Sequence, residues 1–165
     1  MSRWDFRPHG STVVDEEAFA CVTELETRHA ARLRYTVSML TVYSAPAMPV
    51  VNPADAAEQL AAAVSPLIRD TDLVEIVPPA AAVRVLLVGG ELKDLRTVIQ
   101  RIIAEVSLHR SDGQQALLVR IGGSCFPTTA GSSRELLQQA DALAEEARRE
   151  RGVQSTYRLP VRREA

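Results

Sequence analysis

Few residues in this 165-residue chain have the type and spacing to do chemistry together. His9, His29 and His109 lie far apart at no metal-ligand spacing, so each reads as a surface or packing histidine. Cys21 and Cys125 are equally distant, with neither metal nor redox spacing. Ser124 beside Cys125 lacks the context of an activated nucleophile, and the glycine pairs at 89–90 and 122–123 match no phosphate-cradling loop. What remains is the string Arg69-Asp70-Thr71-Asp72. Arginine offers planar N–H donors and aspartate accepts such bonds. The same string has a structural reading. Arg69 follows a predicted helix, where a cation offsets the macrodipole, and Asp72 stands where a turn aspartate bonds nearby backbone N–H groups.

These residues lead into a hairpin around which the rest of the chain can be placed. Leu73, Glu75 and Val77 alternate with Val74 and Ile76; past the turn, Val83, Val85 and Leu87 alternate with Arg84, Leu86 and Val88. A period of two predicts strands. Pro78 and Pro79 end the ladder between them, since neither can donate a backbone hydrogen bond.

Residues 1–14, with Pro8, Gly10 and Ser11, show no clear period and read as a lead-in segment, partly disordered, that Trp4 and Phe6 anchor. From Asp15, Phe19, Val22, Leu25, His29 and Leu33 recur at helical spacing as a narrow apolar stripe, fit either to dock on its own domain or to pair with a second copy. Tyr35 to Tyr43 is β-branched and aromatic and predicts a central strand. Asn52 or Asp55 caps the next helix, lined by Ala56, Leu60, Ala63, Val64 and Leu67, with a kink or fresh turn expected at Pro66. After the hairpin, Leu92, Leu95, Val98, Ile99, Ile102 and Val106 form a strong core-facing helical stripe that ends near His109. Ser111, Asp112 and Gly113 read as a loop, and Ala116 to Phe126 as a strand whose Gly122 and Gly123 mark a bulge or a close backbone approach. Ser132 and Glu135 form a capping box for the last long helix, and Gln154 to Leu159 adds an edge strand. The order embeds a βαββαβ unit in a single central sheet covered by helices, an α+β fold.

Composition narrows the function classes. One domain, spanning 15–159 with a tail at 160–165, accounts for the length and for the 46% apolar content. A net charge of -2 argues against nucleic acid as a partner, although six arginines fall within the last eighteen residues. No apolar run is long enough for membrane insertion and no signal pattern opens the chain, so the expected location is the cytoplasm.

Three strings then resemble one family, the GGDEF domain of diguanylate cyclases, of the nucleotidyl cyclase fold. RDTDLVEIV resembles the family's R-x-x-D, five-residue spacer and signature turn, with Pro78 to Ala82 where GGDEF would stand. VRIGGSCFP resembles its S-I-G-V-A-x-x-P strand. RELLQQADALAEEARRERG resembles its last helix, with Ala140 and Asp141 on the Ala-Asp pair and Arg148 on the lysine. The likeness runs over residues 15–158.

The resemblance implies a chemistry that this chain lacks. The family holds Mg²⁺ with an acid on its first strand and an acid in the signature turn, and its glycines let the backbone approach a triphosphate. Here the strand acid falls on Thr41, or on Tyr43 if the register slips by two, and the turn is Pro78, Pro79, Ala80, Ala81 and Ala82. The loop after the first strand likewise lacks the family's phenylalanine-lysine and asparagine-aspartate pairs. No catalytic residue, metal or cofactor is therefore expected. The family's R-x-x-D forms an inhibitory site for cyclic di-GMP, with arginine on guanine and phosphate and aspartate on the guanine edge, which assigns that role to Arg69 and Asp72 and places Arg101 near a second arginine of the site. The expected function is a catalytically inactive regulatory domain in cyclic di-GMP-type signalling, a receptor or a protein-interaction module whose partner is another protein or a second copy. The alternative is a purely structural, dimerising pseudoenzyme without nucleotide binding.

Overall fold

The computed structural model describes residues 4–6, 12–45, 52–109 and 117–162. Seven strands form one mixed sheet in the order β1-β2-β4-β5-β3-β6-β7. They are β1 (Trp4–Phe6), β2 (Thr12–Val14), β3 (Val37–Ser44), β4 (Leu73–Val77), β5 (Ala82–Val88), β6 (Val119–Phe126) and β7 (Thr156–Arg158). Four helices cover it: α1 (Glu16–Leu33), α2 (Pro53–Val64), α3 (Leu92–Leu108) and α4 (Ser133–Arg148). The α+β sheet with its embedded βαββαβ unit, β3-α2-β4-β5-α3-β6, is the expected fold.

Strand alternation sends the two faces of the sheet to two cores. Leu40, Val42, Val74, Val83, Val85 and Ile121 meet Leu60, Val64, Leu95, Ile99 and Ile102 of α2 and α3. On the opposite face Val37, Met39, Leu86 and Phe126 meet Phe19 of α1 and Leu136 and Ala140 of α4. β3 lies between β5 and β6 and pairs antiparallel with both, so its residues occupy the middle of every layer.

Two expectations change. The lead-in segment is not structureless where it is described: β2 pairs parallel with β4, and β1 pairs antiparallel with β2, which extends the sheet by two strands. Three-residue strands are too short to show a period, and their pairing with the long hairpin is what orders them. The second change is the buried side of α1. Its buried residues are Ala18, Phe19, Thr23, Thr27 and Ala30, while Leu25 and Leu33 are 47% and 67% exposed. At 100° per residue the apolar stripe is turned roughly a quarter-turn away from the sheet. Threonine can take the buried side because each hydroxyl donates back along the helix, Thr23 Oγ1 to the Phe19 carbonyl at 2.7 Å and Thr27 Oγ1 to that of Glu24 at 2.9 Å.

The remaining elements sit close to their sequence signals. Asn52, not Asp55, caps α2, accepting from Ala54 N–H at 3.1 Å. The helix ends at Val64, and Pro66 sits in a fresh 3-10 turn, Ser65–Leu67. Ser132 Oγ accepts from Glu135 N–H at 3.1 Å and caps α4, while Glu135 reaches back to Gly131 N–H at 2.7 Å. Gly122 is a close approach and not a bulge, since β6 pairs with β3 in unbroken register. A Cβ there would lie 2.1 Å from Ala144 N and 2.2 Å from Ala140 O, so the bare glycine lets α4 rest directly on the sheet. The loops expected at 46–51 and around Ser111–Gly113, the His9 region and Arg163 lie outside the described residues.

Candidate functional site

At the entrance to the hairpin, Asp72 acts as a clasp. Its Oδ2 accepts from Arg69 N–H at 2.9 Å and its Oδ1 from Val88 N–H at 3.0 Å. The backbone adds Asp72 N–H to Arg69 O and Thr12 N–H to Asp72 O. One buried residue therefore joins the turn, the end of β5 and the start of β2. Burial pushes its carboxyl above the ordinary range, and the two backbone donors pull the other way. The structural reading of Asp72 accounts for all four of these bonds. Arg69 and Arg101 are both exposed, and neither guanidinium makes a hydrogen bond or ion pair among the described residues.

The hairpin tip is compact. Pro78–Ala80 is a 3-10 turn, and Ala81, at φ 50°, closes it by donating to Pro78 O at 3.1 Å. Ala82 already belongs to β5, opposite Val77. No side chain in this turn can ligate a cation, and Pro78 and Pro79 supply no N–H to a phosphate.

The two β3 positions on which the strand acid could fall both face α4. Thr41, 1% exposed, donates from Oγ1 to Asp141 Oδ1 at 2.6 Å. Tyr43 lies under Arg148, whose guanidinium carbon is 4.9 Å from the ring centroid. Burial, and after it the charges of Asp141 and Glu145, push the Tyr43 hydroxyl upward. Residues matched to the family's Ala-Asp pair and lysine, Asp141 and Arg148, are thus each engaged by β3. Magnesium requires several hard oxygens at one point, and the residues here do not fit it. Among the described residues no group of three or more His, Cys, Asp or Glu could hold a metal.

One polar assembly escaped the sequence reading. Glu75, Arg84, Thr41 and Gly122 form a single row across β4, β5, β3 and β6. Arg84 donates to Asp141 through Nε at 3.1 Å and Nη2 at 2.9 Å, and to Glu75 Oε2 through Nη1 at 3.2 Å. Gly122 brings α4 down so that Asp141 can reach both Thr41 and Arg84. Burial raises the Glu75 carboxyl while Arg84 opposes the shift; burial disfavours the charged guanidinium too, but the hydrogen bonds it donates to Asp141 and Glu75, with their negative charges, outweigh that and keep it firmly charged. Opposite charges at facing positions of an otherwise apolar hairpin were the available signal.

The geometry defines a class: a single mixed sheet built on a βαββαβ unit whose hairpin turn, Pro78 to Ala82, carries no acid. No protein-family profile and no curated relative matches the sequence. Solved structures do, and they give the chain the GGDEF-domain fold. The FimX GGDEF domain of Pseudomonas aeruginosa is similar with a TM-score of 0.74 at 16% identity, covering 94% of this chain and 99% of that one. The GGDEF domain of YfiN (TpbB) from the same organism gives 0.69 at 21%, covering 88% and 97%. That of DgcB from Caulobacter crescentus, solved in complex with c-di-GMP, gives 0.68 at 14%, covering 90% and 91%. No helix among the described residues is long and apolar enough to cross a membrane.

Proposed function

We propose that the chain is a catalytically inactive GGDEF-fold domain with a regulatory role in cyclic di-GMP-type signalling in the cytoplasm. The observation that carries this reading is the fate of the metal-ligand positions. Thr41 is buried and bonded to Asp141, and the turn that would carry the second acid is Pro-Pro-Ala-Ala. Without two carboxylates converging on one point, Mg²⁺ and the triphosphate have no anchor. Purified protein incubated with GTP or ATP and Mg²⁺ or Mn²⁺ should form no cyclic product; turnover above the no-protein control would refute the reading.

Regulation needs something to bind. The receptor role falls to the two exposed arginines, Arg69 and Arg101, with Asp72 holding the turn that presents Arg69. The DgcB structure with c-di-GMP supports testing that ligand. Calorimetry with cyclic di-GMP, repeated on Arg69→Ala, should show heat that the variant loses; no heat with the unaltered chain removes the receptor role. A separate observation favours protein association, with a second copy or another partner. Leu25 and Leu33 sit on the side of α1 turned away from the sheet, and this unpartnered stripe suits a second helix. Light scattering should then show an assembly that Leu25→Lys, Leu33→Lys dissociates, and a strict monomer at all concentrations would count against self-association.

A further inference from the structure

A cavity of about 250 Å³ opens between α1 and α4 over the middle of the sheet. Glu75 and Arg84 line it from the sheet, Phe19 from α1 and Leu137 from α4, with the exposed residues Glu16 and Arg134 at its rim. Its floor is the middle of the hairpin, between the entrance at Asp72 and the tip at Pro78, and nothing proposed so far uses it.

The chemistry of its floor is unbalanced. Glu75 is 4% exposed, and its bond to Arg84 uses Oε2 alone. No fully buried side-chain nitrogen or oxygen among the described residues lacks a partner, so Oε1, to which no donor is assigned, opens onto the cavity. Arg84 cannot satisfy Glu75 fully, because Nε and Nη2 are committed to Asp141. One guanidinium is thus shared by two carboxylates, and Glu16 stands close enough to add a third negative charge to the field at Glu75. A ligand group suited to this floor carries a positive charge and N–H donors. The walls ask for something else: Phe19 and Leu137 offer apolar surface on both sides. The volume lies below the usual range for drug-sized ligands, which limits the occupant to a compact body such as one ring. The rim carries both signs, Glu16 and Glu24 beside Arg134, so the floor alone sets the charge that the site selects.

We propose that this cavity binds a small amphipathic monocation, a primary amine or amidine on a compact apolar body, with its N–H groups donating to Glu75 Oε1 and its body held between Phe19 and Leu137. Such a ligand wedges α1 against α4, and the domain thereby acquires an input independent of any nucleotide.

Benzamidine is the probe, with benzamide as its neutral isostere, in an amide-resonance NMR titration of the whole chain. Benzamidine should bind saturably, with shifts centred on α1, α4 and residues 75 and 84, and benzamide should bind at least tenfold more weakly. Glu75→Gln should weaken benzamidine at least tenfold. Should that variant fold poorly, Ala20→Trp tests the same idea without touching the ionic row, because Ala20 is an exposed α1 residue that lines the cavity. Its indole fills the site and should abolish binding, while Arg69→Ala should leave it unchanged. Absence of saturable benzamidine binding, equal binding of benzamide, or full binding to a folded Ala20→Trp protein would each overturn the proposal.

Discussion

Replacing Asp72 separates a clasp from a ligand contact. Its carboxylate accepts from two backbone amides, Arg69 N–H at 2.9 Å and Val88 N–H at 3.0 Å. Hydrogen bonds to a charged group are worth about 1.5–3 kcal/mol each, so the two amount to roughly 3–6 kcal/mol before offsets. Part of that is returned on truncation, because burial of the carboxylate is itself unfavourable, as the upward push on its pKa records. A net loss of about 2–4 kcal/mol is expected for Asp72→Ala, which for a chain of this size lowers Tm by about 5–15 °C. Asp72→Asn is the sharper probe. Its amide oxygen can keep one bond, but its NH₂ then confronts the other backbone N–H, donor against donor, so the shape survives and most of the loss remains. Thermal unfolding followed by circular dichroism at neutral pH measures both. If both variants melt within about 2 °C of the parent, the clasp does not hold the hairpin entrance and the argument fails. A change in cyclic di-GMP affinity with stability intact would instead assign Asp72 to the ligand.

Gly122→Ala should be among the most damaging small substitutions in the chain, since its Cβ meets backbone atoms of α4 at 2.1 and 2.2 Å; a loss above the usual overpacking range of about 1–3 kcal/mol is expected in urea titration. Arg84→Met leaves Glu75 and Asp141 without their shared cation; because Asp141 is partly exposed, the loss should fall at or below the low end of the roughly 3–5 kcal/mol known for broken buried pairs, and a chain as stable as the parent would refute the coupling. Burial raises the Asp72 and Glu75 carboxyls, so the folded state holds their protons more tightly than the unfolded chain does. Their contribution to stability is full below about pH 4 and is lost as pH rises through the folded-state values. An Asp72→Asn, Glu75→Gln double variant should therefore show a urea midpoint that changes less than the parent's between pH 4 and 7.

Where a segment is long enough to show its period, the sequence places it well. The hairpin from Leu73 to Val88 was readable from alternation and its proline tip, and α3 from a stripe that its burial pattern repeats. β1 and β2 were not, because three residues carry no periodicity and their pairing depends on β4 being present. The α1 helix was readable as an element but not in its rotation. Hydrophobic spacing marks the most apolar side, whereas the sheet accepted Thr23 and Thr27, whose hydroxyls had already found partners within the helix. Periodicity reports side-chain polarity, and burial depends on whether that polarity is satisfied.

The same distinction explains the candidate site. The acid-free turn was legible because composition needs no geometry: Pro78 to Ala82 contain no carboxylate in any fold. The Glu75–Arg84 pair was half legible. The two lie equally far from the hairpin turn, so antiparallel register puts them opposite one another. Their third partner was hidden, because Asp141 arrives from 57 residues beyond Arg84 and reaches the row only where Gly122 lets α4 sit on bare backbone. A glycine in a central strand and a charged pair in an apolar hairpin are each weak signals. Found in one row of one sheet, they imply a helix lying close above, with a polar residue turned inward. On that logic Thr41 belongs to the structure of this sheet, bonded beneath α4. A carboxylate restored at position 41 would face Asp141 before it could meet a metal.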